Sequence, residues 1–433
     1  MKTSKACFLL GGVLAAMGLL GCASVHAPTE TSIPDLNQKR AVARSSDLQL
    51  PVEGEIGKSV DFWIRINTVY NSHQGVIHDA KYIDHIYEVL DFKKSKGRSG
   101  LVILKAKAKW NRLLLSVHRK QLNPSSLTSE ERKVFELFKD IDEPNKFLNA
   151  AHRKRLRFQL GQKDHFLAGL VQSGRFLPAM EEIFKKEGLP VELTRLPFVE
   201  SSFNVKARSK VGASGIWQFM RSTAQLFIQV NDAVDERNDP YRATEAAAQL
   251  LKQNFDSLGS WPLAVTAYNH GRKAMMRAVR GVGSDALSDL MINYRQRNFG
   301  FASRNFFPEL LAAVEIEKNA EHYFGRVKRA QSDSIQEVVL PDFVAMGDLV
   351  RILSWSPREL SELNPGLSEE VRRGCLLIPS GYHLRIPSDF TDFWKKYAQI
   401  PLSSKVKAQR SIKYGRTGRL KKCLTASLIA KAR

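Results

Sequence analysis

The sequence feature that most constrains the fold is a series of helical hydrophobic patterns between residues 165 and 324. Residues 176–186 are amphipathic at helical spacing and stop at Gly188-Leu189-Pro190, and residues 191–200 form a short apolar pattern. Asp239-Pro240 then supplies an N-cap and a first-turn proline for another helix. Because the patterns in this stretch have helical spacing, they predict an all-helical central domain over residues 165–325.

The flanking regions complete a domain plan that is mainly α. Residues 58–164 predict a helical flanking region, with patterns such as Ile83-Ile86-Tyr87-Leu90. Residues 336–390 read as a strand, two helices and a second strand, which predicts a small, separate α+β module. Residues 391–433 contain many lysines and arginines and, beyond Ser403, no acidic residue, which is typical of a solvated basic tail.

The N-terminus predicts export. Lys2 and Lys5 precede an apolar run that is too short to span a bilayer, so residues 1–21 have the layout of a secretory signal peptide. Residues 22–57 are polar and contain prolines but little periodicity, which predicts a flexible tether between the processed end and the folded body.

The end of the signal also predicts a lipid anchor. Leu19-Leu20-Gly21-Cys22 resembles the bacterial lipobox, in which Cys22 would be diacylated and become the mature N-terminus. A plain signal followed by an incidental cysteine is the alternative. Ala23 and Ser24 carry no acidic retention signal, so the expected location is the outer membrane of a Gram-negative cell, facing the periplasm.

Net charge and export together limit the classes of molecule that the protein is expected to bind. The formal charge of +22 and the pI near 9.8 indicate anionic partners, such as nucleic acid, anionic lipid or the carboxylate-bearing cell wall. Export argues against nucleic acid and leaves wall and membrane. Cys375 and Cys423 are the disulfide candidates of the mature chain; their spacing fits no metal site, and the sequence alone does not establish that they pair.

The clearest chemical signature lies in two neighbouring segments, 197–204 and 209–220. Glu200 follows a run of apolar residues, and the turn after it is rich in glycine, serine and alanine, which let a backbone approach a ligand or another helix. Gln218 lies between Trp217 and Phe219, a polar side chain in an aromatic frame of the kind that sugar rings often require. These patterns point to a carbohydrate site with one carboxylate.

These segments resemble the catalytic core of the soluble lytic transglycosylase family, whose fold is similar to goose-type lysozyme. The likeness runs without a gap from Glu200 to Met220, through a Glu-Ser pair, a Ser-x-x-Gly-Ala-x-Gly turn and a glutamine. Ala267-Tyr268-Asn269-His270-Gly271 resembles a third family element. With lipidation and the extra regions on both sides, the whole chain is similar to the membrane-bound type D enzymes. The resemblance implies a lysozyme-like helical catalytic domain.

The resemblance also implies roles for individual residues. Glu200 would be the single catalytic acid and base. Ser209 and Gln218 would contact the muramyl N-acetyl and neighbouring groups, Met220 would line the cleft, and Tyr268 would form a hydrogen bond near Glu200. The full set of implied substrate-binding residues is Ser201, Ser209, Gln218, Met220, Tyr268 and Asn269.

One carboxylate suffices for the implied reaction. Glycosidases that use water ordinarily need two carboxylates at the scissile bond, whereas the nucleophile here would be the C6 hydroxyl of N-acetylmuramic acid, and the product a 1,6-anhydro sugar. Glu200 would protonate the leaving O4 and then take the proton from O6. Burial among Leu196, Phe198, Val199 and Phe203 is expected to raise its pKa. This chemistry implies no metal and no organic cofactor.

Several residues depart from the family pattern. Where many relatives have Glu-Thr-Arg-x-Tyr, this chain has Ala302-Ser303-Arg304-Asn305-Phe306, without the carboxylate and the phenol. Either the substrate is held differently, or the chain is a subfamily variant, or its activity is reduced. Glu192, Asp239 and Glu245 match no motif and are interpreted as helix-end and surface charges.

The C-terminal module and the overall function leave alternatives. Gly347-Asp348-Leu349 and Leu363-Asn364-Pro365-Gly366-Leu367 resemble elements of a LysM-like unit, which would either bind glycan or be a structural appendage.

The alternatives to the lytic transglycosylase are a goose-lysozyme-like hydrolytic muramidase, which needs a water-positioning carboxylate, and a non-catalytic peptidoglycan-binding lipoprotein. The expected partners are peptidoglycan glycan strands and, through the lipid anchor, the membrane. We expect a monomer.

Overall fold

The structure, a computed structural model, describes residues 48, 53–93, 97–401 and 404–405. The predicted signal peptide, Cys22, Cys423 and most of the tether and tail lie outside these residues. The described chain is mainly helical, as predicted, and divides into two compact units that are described separately here. Unit 1 contains the described residues up to 171, with 189–202 and 250–328; unit 2 contains 172–188, 203–249 and the described residues from 329 onward.

The elements are numbered in chain order. The helices are α1 (Gly54–Thr68), α2 (Ser99–Lys120), α3 (Ser129–Leu137), α4 (Lys146–Ala151), α5 (Lys163–Lys186), α6 (Leu196–Ser201), α7 (Arg221–Ala224), α8 (Pro240–Leu258), α9 (Trp261–His270), α10 (Arg272–Val282), α11 (Leu287–Asn293), α12 (Phe301–Lys318), α13 (Ala320–Phe324), α14 (Met346–Leu353), α15 (Pro357–Leu363), α16 (Glu369–Arg372) and α17 (Phe393–Tyr397). The strands are β1 (Gln74–Asp79), β2 (Ile86–Asp91), β3 (Leu156–Leu160), β4 (Ile335–Val339) and β5 (His383–Pro387). Short 3-10 helices cover Pro124–Ser126, Val191–Arg195 and Glu236–Asn238.

Residues 58–164 are not purely helical, so the prediction of a helical flanking region is wrong in part. β1 is the central strand of a three-stranded antiparallel sheet with the order β2-β1-β3. The pattern Ile83-Ile86-Tyr87-Leu90, interpreted as helical, lies mostly in β2, where Leu90 pairs with Gly75. Spacings of three and four residues also arise by chance in a short strand, and the buried β-branched residues of β1 favour pairing. The predicted tether also ends earlier than residue 57, because α1 begins at Gly54.

α12 is the central support of unit 1. Ten of its residues are buried, and α1, α6, α9 and the 3-10 helix 191–195 pack against it. Trp63 Nε1 on α1 donates a hydrogen bond to Oδ1 of Asn305 at 3.0 Å, and both side chains are buried. Arg195 pairs with Glu317 at 2.9 Å. These contacts fix the segment that leads into α6 on the side of α12. Within the described ranges, every helix is too short or too polar to cross a membrane.

Unit 2 contains the predicted C-terminal module, which shares its hydrophobic core with other residues of the unit. β4 and β5 pair antiparallel, and α14, α15 and the short α16 lie between them, so the predicted strand-helix-helix-strand order has one additional helix. Their hydrophobic core also includes Ala233 and Val234. The N–H of Asp235 donates to Gly366 O at 2.7 Å, and the N–H of Ser368 donates to Ala233 O at 2.9 Å. The prediction of a separate module is therefore wrong, because these long-range backbone contacts have no local sequence signal.

Asp239 is the buried polar link within this core. Its Oδ1 accepts hydrogen bonds from the N–H groups of Tyr241 and Arg242 at 3.0 and 3.1 Å, so it caps α8 as predicted. Its Oδ2 pairs with Arg385 of β5, and each of the two side chains is 3% exposed. Arg385 also reaches Glu337 of β4 at 3.2 Å. Asp239 is a helix-end residue, as predicted, but the prediction of a surface charge is wrong.

Asp239→Asn should destabilise unit 2. Asparagine keeps an oxygen for the α8 cap, but the charge that compensates buried Arg385 is lost. Removing one partner of a buried ion pair typically costs about 3–5 kcal/mol, so we expect the melting temperature to fall by roughly 5–15 °C. Circular dichroism during heating measures this. Arg358→Ala, which breaks the exposed pair with Glu362, is the matched control and should change little. An unchanged melting temperature for Asp239→Asn would contradict the structural role.

Candidate active site

Glu200 lies near the end of the short helix α6 in unit 1. Leu196, Pro197 and Phe198 are buried, and the proline stands in the first turn, where its missing N–H costs no helical hydrogen bond. The Arg195–Glu317 ion pair holds the preceding 3-10 helix to α12. The apolar residues before Glu200 therefore bury one side of α6 and leave the carboxylate at its C-terminal end.

A strained turn follows Glu200 directly. Ser202 and Phe203 have φ of 51° and 56°, a left-handed backbone that L-residues rarely adopt. Such a conformation costs on the order of 1–3 kcal/mol per residue and occurs most often at functional sites. The N–H of Ser202 donates to Phe198 O at 3.3 Å and ends the helix. Because the segment contains no glycine, this left-handed turn was not predictable from the sequence.

α5 packs closely against the backbone of α6. A Cβ at Gly169 would lie 3.0 Å from the carbonyl oxygen of Ser202, so a larger residue would push the strained turn away. Phe166, one turn earlier on α5, stacks on Phe198 with ring centroids 4.7 Å apart. Aromatic pairs of this kind stabilise by about 0.5–1.5 kcal/mol beyond area burial. The backbone that carries Glu200 is thus held in place by glycine-mediated contact and by stacked rings.

Burial raises the pKa of the Glu200 carboxyl from its usual value near 4.5 to about 8. Water-poor surroundings disfavour the charged form, and among the described residues no charged side chain contributes to this shift. The residue as a whole keeps partial access to solvent. At pH 7 the carboxyl is therefore mainly protonated and can act as an acid, as the sequence analysis expects.

Tyr268 of α9 lies within reach of the charge of Glu200. Burial, and then the negative charge of Glu200, raise the pKa of the phenol well above its usual value, so the hydroxyl stays protonated. Its ring stacks on Phe306 of α12, with centroids 6.2 Å apart and planes 6° from parallel. Phe306 is buried, and its ring offers a packing contact but no hydroxyl.

The sequence analysis missed a second carboxyl, Glu309 of α12. Burial, and then the charge of Glu200, raise its pKa well above the usual value. Glu309 stands seven residues after Ala302 and three after Phe306, so these positions share one face of the helix. Helical spacing could have found it, but the family motif ends at Phe306 and drew attention only to the carboxylate missing at position 302.

Ser201 and Asn269 have local structural partners beside these groups. The hydroxyl of Ser201 donates to Pro197 O at 3.3 Å within α6. Oδ1 of Asn269 accepts a hydrogen bond from the hydroxyl of Ser303 at 2.9 Å. This hydrogen bond from Ser303 fixes the end of α9. Glu200, Ser201, Tyr268 and Asn269 all lie in unit 1.

The glycine- and serine-rich turn lies in unit 2 and is held by its own polar groups. The N–H of Ser209 donates to Ala213 O, and its hydroxyl accepts from the N–H of Ala213, both at 2.9 Å. Gly215 has φ of 79°, and a Cβ there would lie 1.7 Å from Arg237 O, so only glycine fits. Buried Arg237, which the sequence analysis also missed, donates to the carbonyl of Gly212 at 2.8 Å.

Gln218 closes this turn from a left-handed position, with φ of 49°. Its Nε2 donates to the carbonyl oxygens of Gly215 at 2.7 Å and Ala207 at 3.3 Å. Both amide hydrogens are thus used by the protein, and Oε1 is the atom that a ligand donor would approach. The side chain therefore has a structural task as well as any contact with substrate.

The aromatic neighbours of Gln218 are core residues, so their interpretation as a frame for a sugar ring is wrong. Trp217 is fully buried, donates from Nε1 to the hydroxyl of Thr244 at 2.8 Å and stacks on Phe184. Phe219 is also buried. Both rings fill the interior because the turn at Gln218 directs that polar side chain away from them. Met220, by contrast, is 42% exposed and open to contact with a ligand.

The remaining predicted features have mixed outcomes. Cys375 is disulfide-bonded, whereas the proposed partner Cys423 lies outside the described residues. Glu245 is half-buried and pairs with Arg242 at 2.5 Å, and burial raises its pKa. Among the described residues, no group of three or more histidine, cysteine, aspartate or glutamate side chains is arranged to hold a metal ion.

Comparison with known proteins gives the class of this site. The family model described as the transglycosylase SLT domain matches residues 179–290. This range includes Glu200, the turn that ends at Gln218, and α9. Residues 179–290 are thus similar to a transglycosylase SLT domain. Glu309 and the segment 302–306 lie beyond the matched range.

Two curated relatives are similar over a longer segment. The membrane-bound lytic murein transglycosylase D of Escherichia coli strain K12 is 29% identical over 214 residues, which are 48% of this chain and 45% of that protein. The protein of the same name from E. coli O6:H1 strain CFT073 gives the same values. The chain thus spans less than half the length of these relatives. A solved structure of the lytic transglycosylase Slt of Pseudomonas aeruginosa is 20% identical, covers 36% of this chain and 26% of that chain, and has a TM-score of 0.29, too low to support an argument.

Glu200→Gln should stabilise the protein at pH 8 but not at pH 4. Between the unfolded pKa near 4.5 and the folded pKa of about 8, the unfolded chain has lost a proton that the folded chain keeps, so rising pH favours unfolding of the wild type. Glutamine has no such proton. We expect the free energy of unfolding of Glu200→Gln to exceed that of the wild type by roughly 2–4 kcal/mol at pH 8 and by almost nothing at pH 4. Scanning calorimetry measures this difference. Exposed Glu182→Gln is the control. If the free energies of unfolding of Glu200→Gln and the wild type differ by the same amount at pH 4 and pH 8, the Glu200 carboxyl is not buried in its neutral form.

Proposed function

We propose that this protein is a lytic transglycosylase that cleaves the β-1,4 bond between N-acetylmuramic acid and N-acetylglucosamine in peptidoglycan and forms 1,6-anhydro-N-acetylmuramic acid. The observation that carries the proposal is Glu200, a carboxyl protonated near neutral pH within a transglycosylase SLT domain. The names of the relatives support murein, which is peptidoglycan, as the substrate.

The mechanism needs one carboxyl that alternates between acid and base. The Glu200 O–H donates its proton to O4 of the leaving N-acetylglucosamine while the bond between C1 and O4 breaks. The C6 hydroxyl oxygen of N-acetylmuramic acid then bonds to C1, and the Glu200 carboxylate takes the O6 proton. The carboxyl ends the cycle protonated, as it began. A pKa of about 8 suits both steps, because it lies near the pH at which the group must give and retake a proton.

The other predicted site residues also have proposed contacts with the glycan. The protonated phenol of Tyr268 would donate a hydrogen bond beside Glu200, and Oε1 of Gln218 would accept the N–H of an N-acetyl group. Met220 is exposed enough to pack against a sugar face. Ser201, Ser209 and Asn269 would shape the site, since each already has a structural hydrogen bond.

A hydrolytic muramidase is the nearest alternative, and Glu309 is the residue that would serve it. Hydrolysis needs an ionised carboxylate that takes a proton from water. Burial and the charge of Glu200 raise the pKa of Glu309 well above its usual value, which disfavours the ionised form that would accept that proton. The raised pKa of Glu309 therefore favours O6 over water as the nucleophile.

The placement of the whole protein is part of the proposal. Acylation of Cys22 would anchor a monomer to the outer membrane, with the folded residues in the periplasm. The two paired strands with helices between them in residues 336–390 support a LysM-like unit that binds glycan. Because Gly366 and Leu367 are engaged by residues 234 and 235, a glycan would bind elsewhere on this unit.

Glu200→Gln should abolish release of muropeptides from purified sacculi. Glutamine cannot donate a proton to O4, and loss of general acid–base catalysis lowers rates by about 10²–10⁴-fold or more. Mass spectrometry of the soluble products measures both rate and chemistry. Glu182→Gln, on the surface of the same domain, should retain the wild-type rate.

The product masses separate the three functions. Wild-type release of 1,6-anhydro ends is the expected result. Reducing ends would indicate the muramidase, and the absence of release by the wild type would indicate the non-catalytic lipoprotein. Normal release of anhydro products by Glu200→Gln would contradict the assignment of the acid.

A further inference from the structure

We propose that one face of α2 in unit 1 is a membrane-contact surface that binds anionic lipid headgroups. This inference goes beyond the proposed activity, because α2 contributes no residue to the site around Glu200. The α2 outer face consists of residues that are all exposed to solvent: Leu101, Leu104, Lys105, Ala108, Arg112 and Arg119.

Helical geometry places the outer face opposite the buried residues of α2. At 3.6 residues per turn, its six positions fall within one arc of about 100°. The buried residues Ala106, Leu114 and Val117 lie on the other side of the helix. They belong to a hydrophobic core that α2 shares with α3 and α4. Because the packing of α2 uses that inner side, the outer face remains available to another molecule.

The outer face carries positive charge that the described residues do not neutralise. Residues 92–127 contain no aspartate or glutamate, and α2 contributes six cations: Lys105, Lys107, Lys109, Arg112, Arg119 and Lys120. Lys109 and Lys120 pair with acidic residues of α3 at 3.4 and 2.9 Å. By contrast, Lys105, Arg112 and Arg119 form no ion pair with any described residue. A row of unpaired cations attracts an anionic surface.

The exposed leucines favour lipid over the other anionic candidates. Leu101 and Leu104 are 54% and 64% exposed, at the start of the same face. Basic amphipathic helices lie in the interface of a bilayer, where leucine enters the acyl boundary and lysine or arginine keeps its charge among the headgroups. The cell wall offers carboxylates but no apolar layer that would take up leucine. Charge and apolar exposure together therefore match an anionic bilayer.

The proposed lipid anchor would bring α2 within reach of such a bilayer. Cys22 lies 32 residues before Gly54, where α1 begins, and a chain of that length spans at most roughly 110 Å. Contact through the outer face would hold unit 1 at the membrane surface instead of at any distance that the tether allows. This step rests on the anchor, whereas the affinity of the outer face for lipid does not.

Lipid titrations with variants of the outer face test the inference. Every chain is full length and carries Cys22→Ser, so no acyl chain contributes. Co-sedimentation with vesicles of phosphatidylcholine, with or without phosphatidylglycerol, gives each partition coefficient. Lys105→Glu combined with Arg112→Glu should lower partition into the anionic vesicles by about 10-fold or more. Leu101→Ser combined with Leu104→Ser should lower it by about 5-fold.

Matched controls place the same changes elsewhere on unit 1. Lys273→Glu combined with Arg277→Glu, at exposed positions of α10, gives the same net charge, and Leu148→Ser replaces another exposed leucine. Both should keep the wild-type partition. An equal fall in the two charge variants would mean that net charge alone drives binding, and would overturn the inference. Outer-face variants that bind vesicles normally but lose binding to purified sacculi would also overturn it, because the wall would then be the partner.

A site-specific measurement does not depend on the folding of a double variant. A nitroxide attached to Leu104→Cys should become less accessible to a nickel reagent in water and more accessible to oxygen when phosphatidylglycerol vesicles are added. A nitroxide at Leu148→Cys should keep its aqueous values. The chain without either substitution, labelled identically, corrects for native cysteines. Aqueous values at position 104 in the vesicle-bound chain would contradict the inference, and since no glycan is present, the result is independent of the proposed function.

Discussion

The burial of the Glu200 carboxyl, which no charged side chain among the described residues offsets, is the constraint on which the rest of the site depends. An isolated buried carboxylate is strongly disfavoured, so the group keeps its proton and its pKa rises to about 8. The surrounding structure of unit 1 maintains this situation. Stacked Phe166 and Phe198, the close approach at Gly169 and the strained residue Ser202 hold the end of α6 where it is. Without that support the carboxyl would turn toward water and ionise as an ordinary glutamate does.

Unit 2 shows a different use of polar groups. Its turn is specified by backbone geometry, with Gly215 fitted against Arg237 and Gln218 bonded to two carbonyl oxygens. Its C-terminal residues share a core and backbone hydrogen bonds with residues 233–235. The buried pair of Asp239 and Arg385 links the start of α8 to β5. The C-terminal region is therefore part of the folded unit that contains the turn, and its removal would expose an apolar core.

Local signals predicted local structure well. Asp239-Pro240 marked the start of α8, and the apolar residues before Glu200 indicated its burial, because capping and hydrophobic patterning act within a few residues. The pairing of β2 with β1 and the contact of Arg385 with Asp239 were not predictable, since the partners are far apart in sequence. Trp217 was misinterpreted because a buried and a sugar-binding tryptophan look alike in sequence. Glu309 was missed because it follows the last family motif, although helical spacing places it on the face of Ala302.

The most direct test is a titration of the Glu200 carboxyl itself. Carbon-13 NMR of protein labelled at the glutamate side-chain carboxyl, recorded from pH 3 to pH 10 for wild type and Glu200→Gln, identifies its signal as the one that the variant lacks. The account predicts that this signal titrates with a midpoint near pH 8. A midpoint near the ordinary glutamate value of about 4.3 would contradict it, because Glu200 would then be ionised at neutral pH and unable to protonate the leaving group.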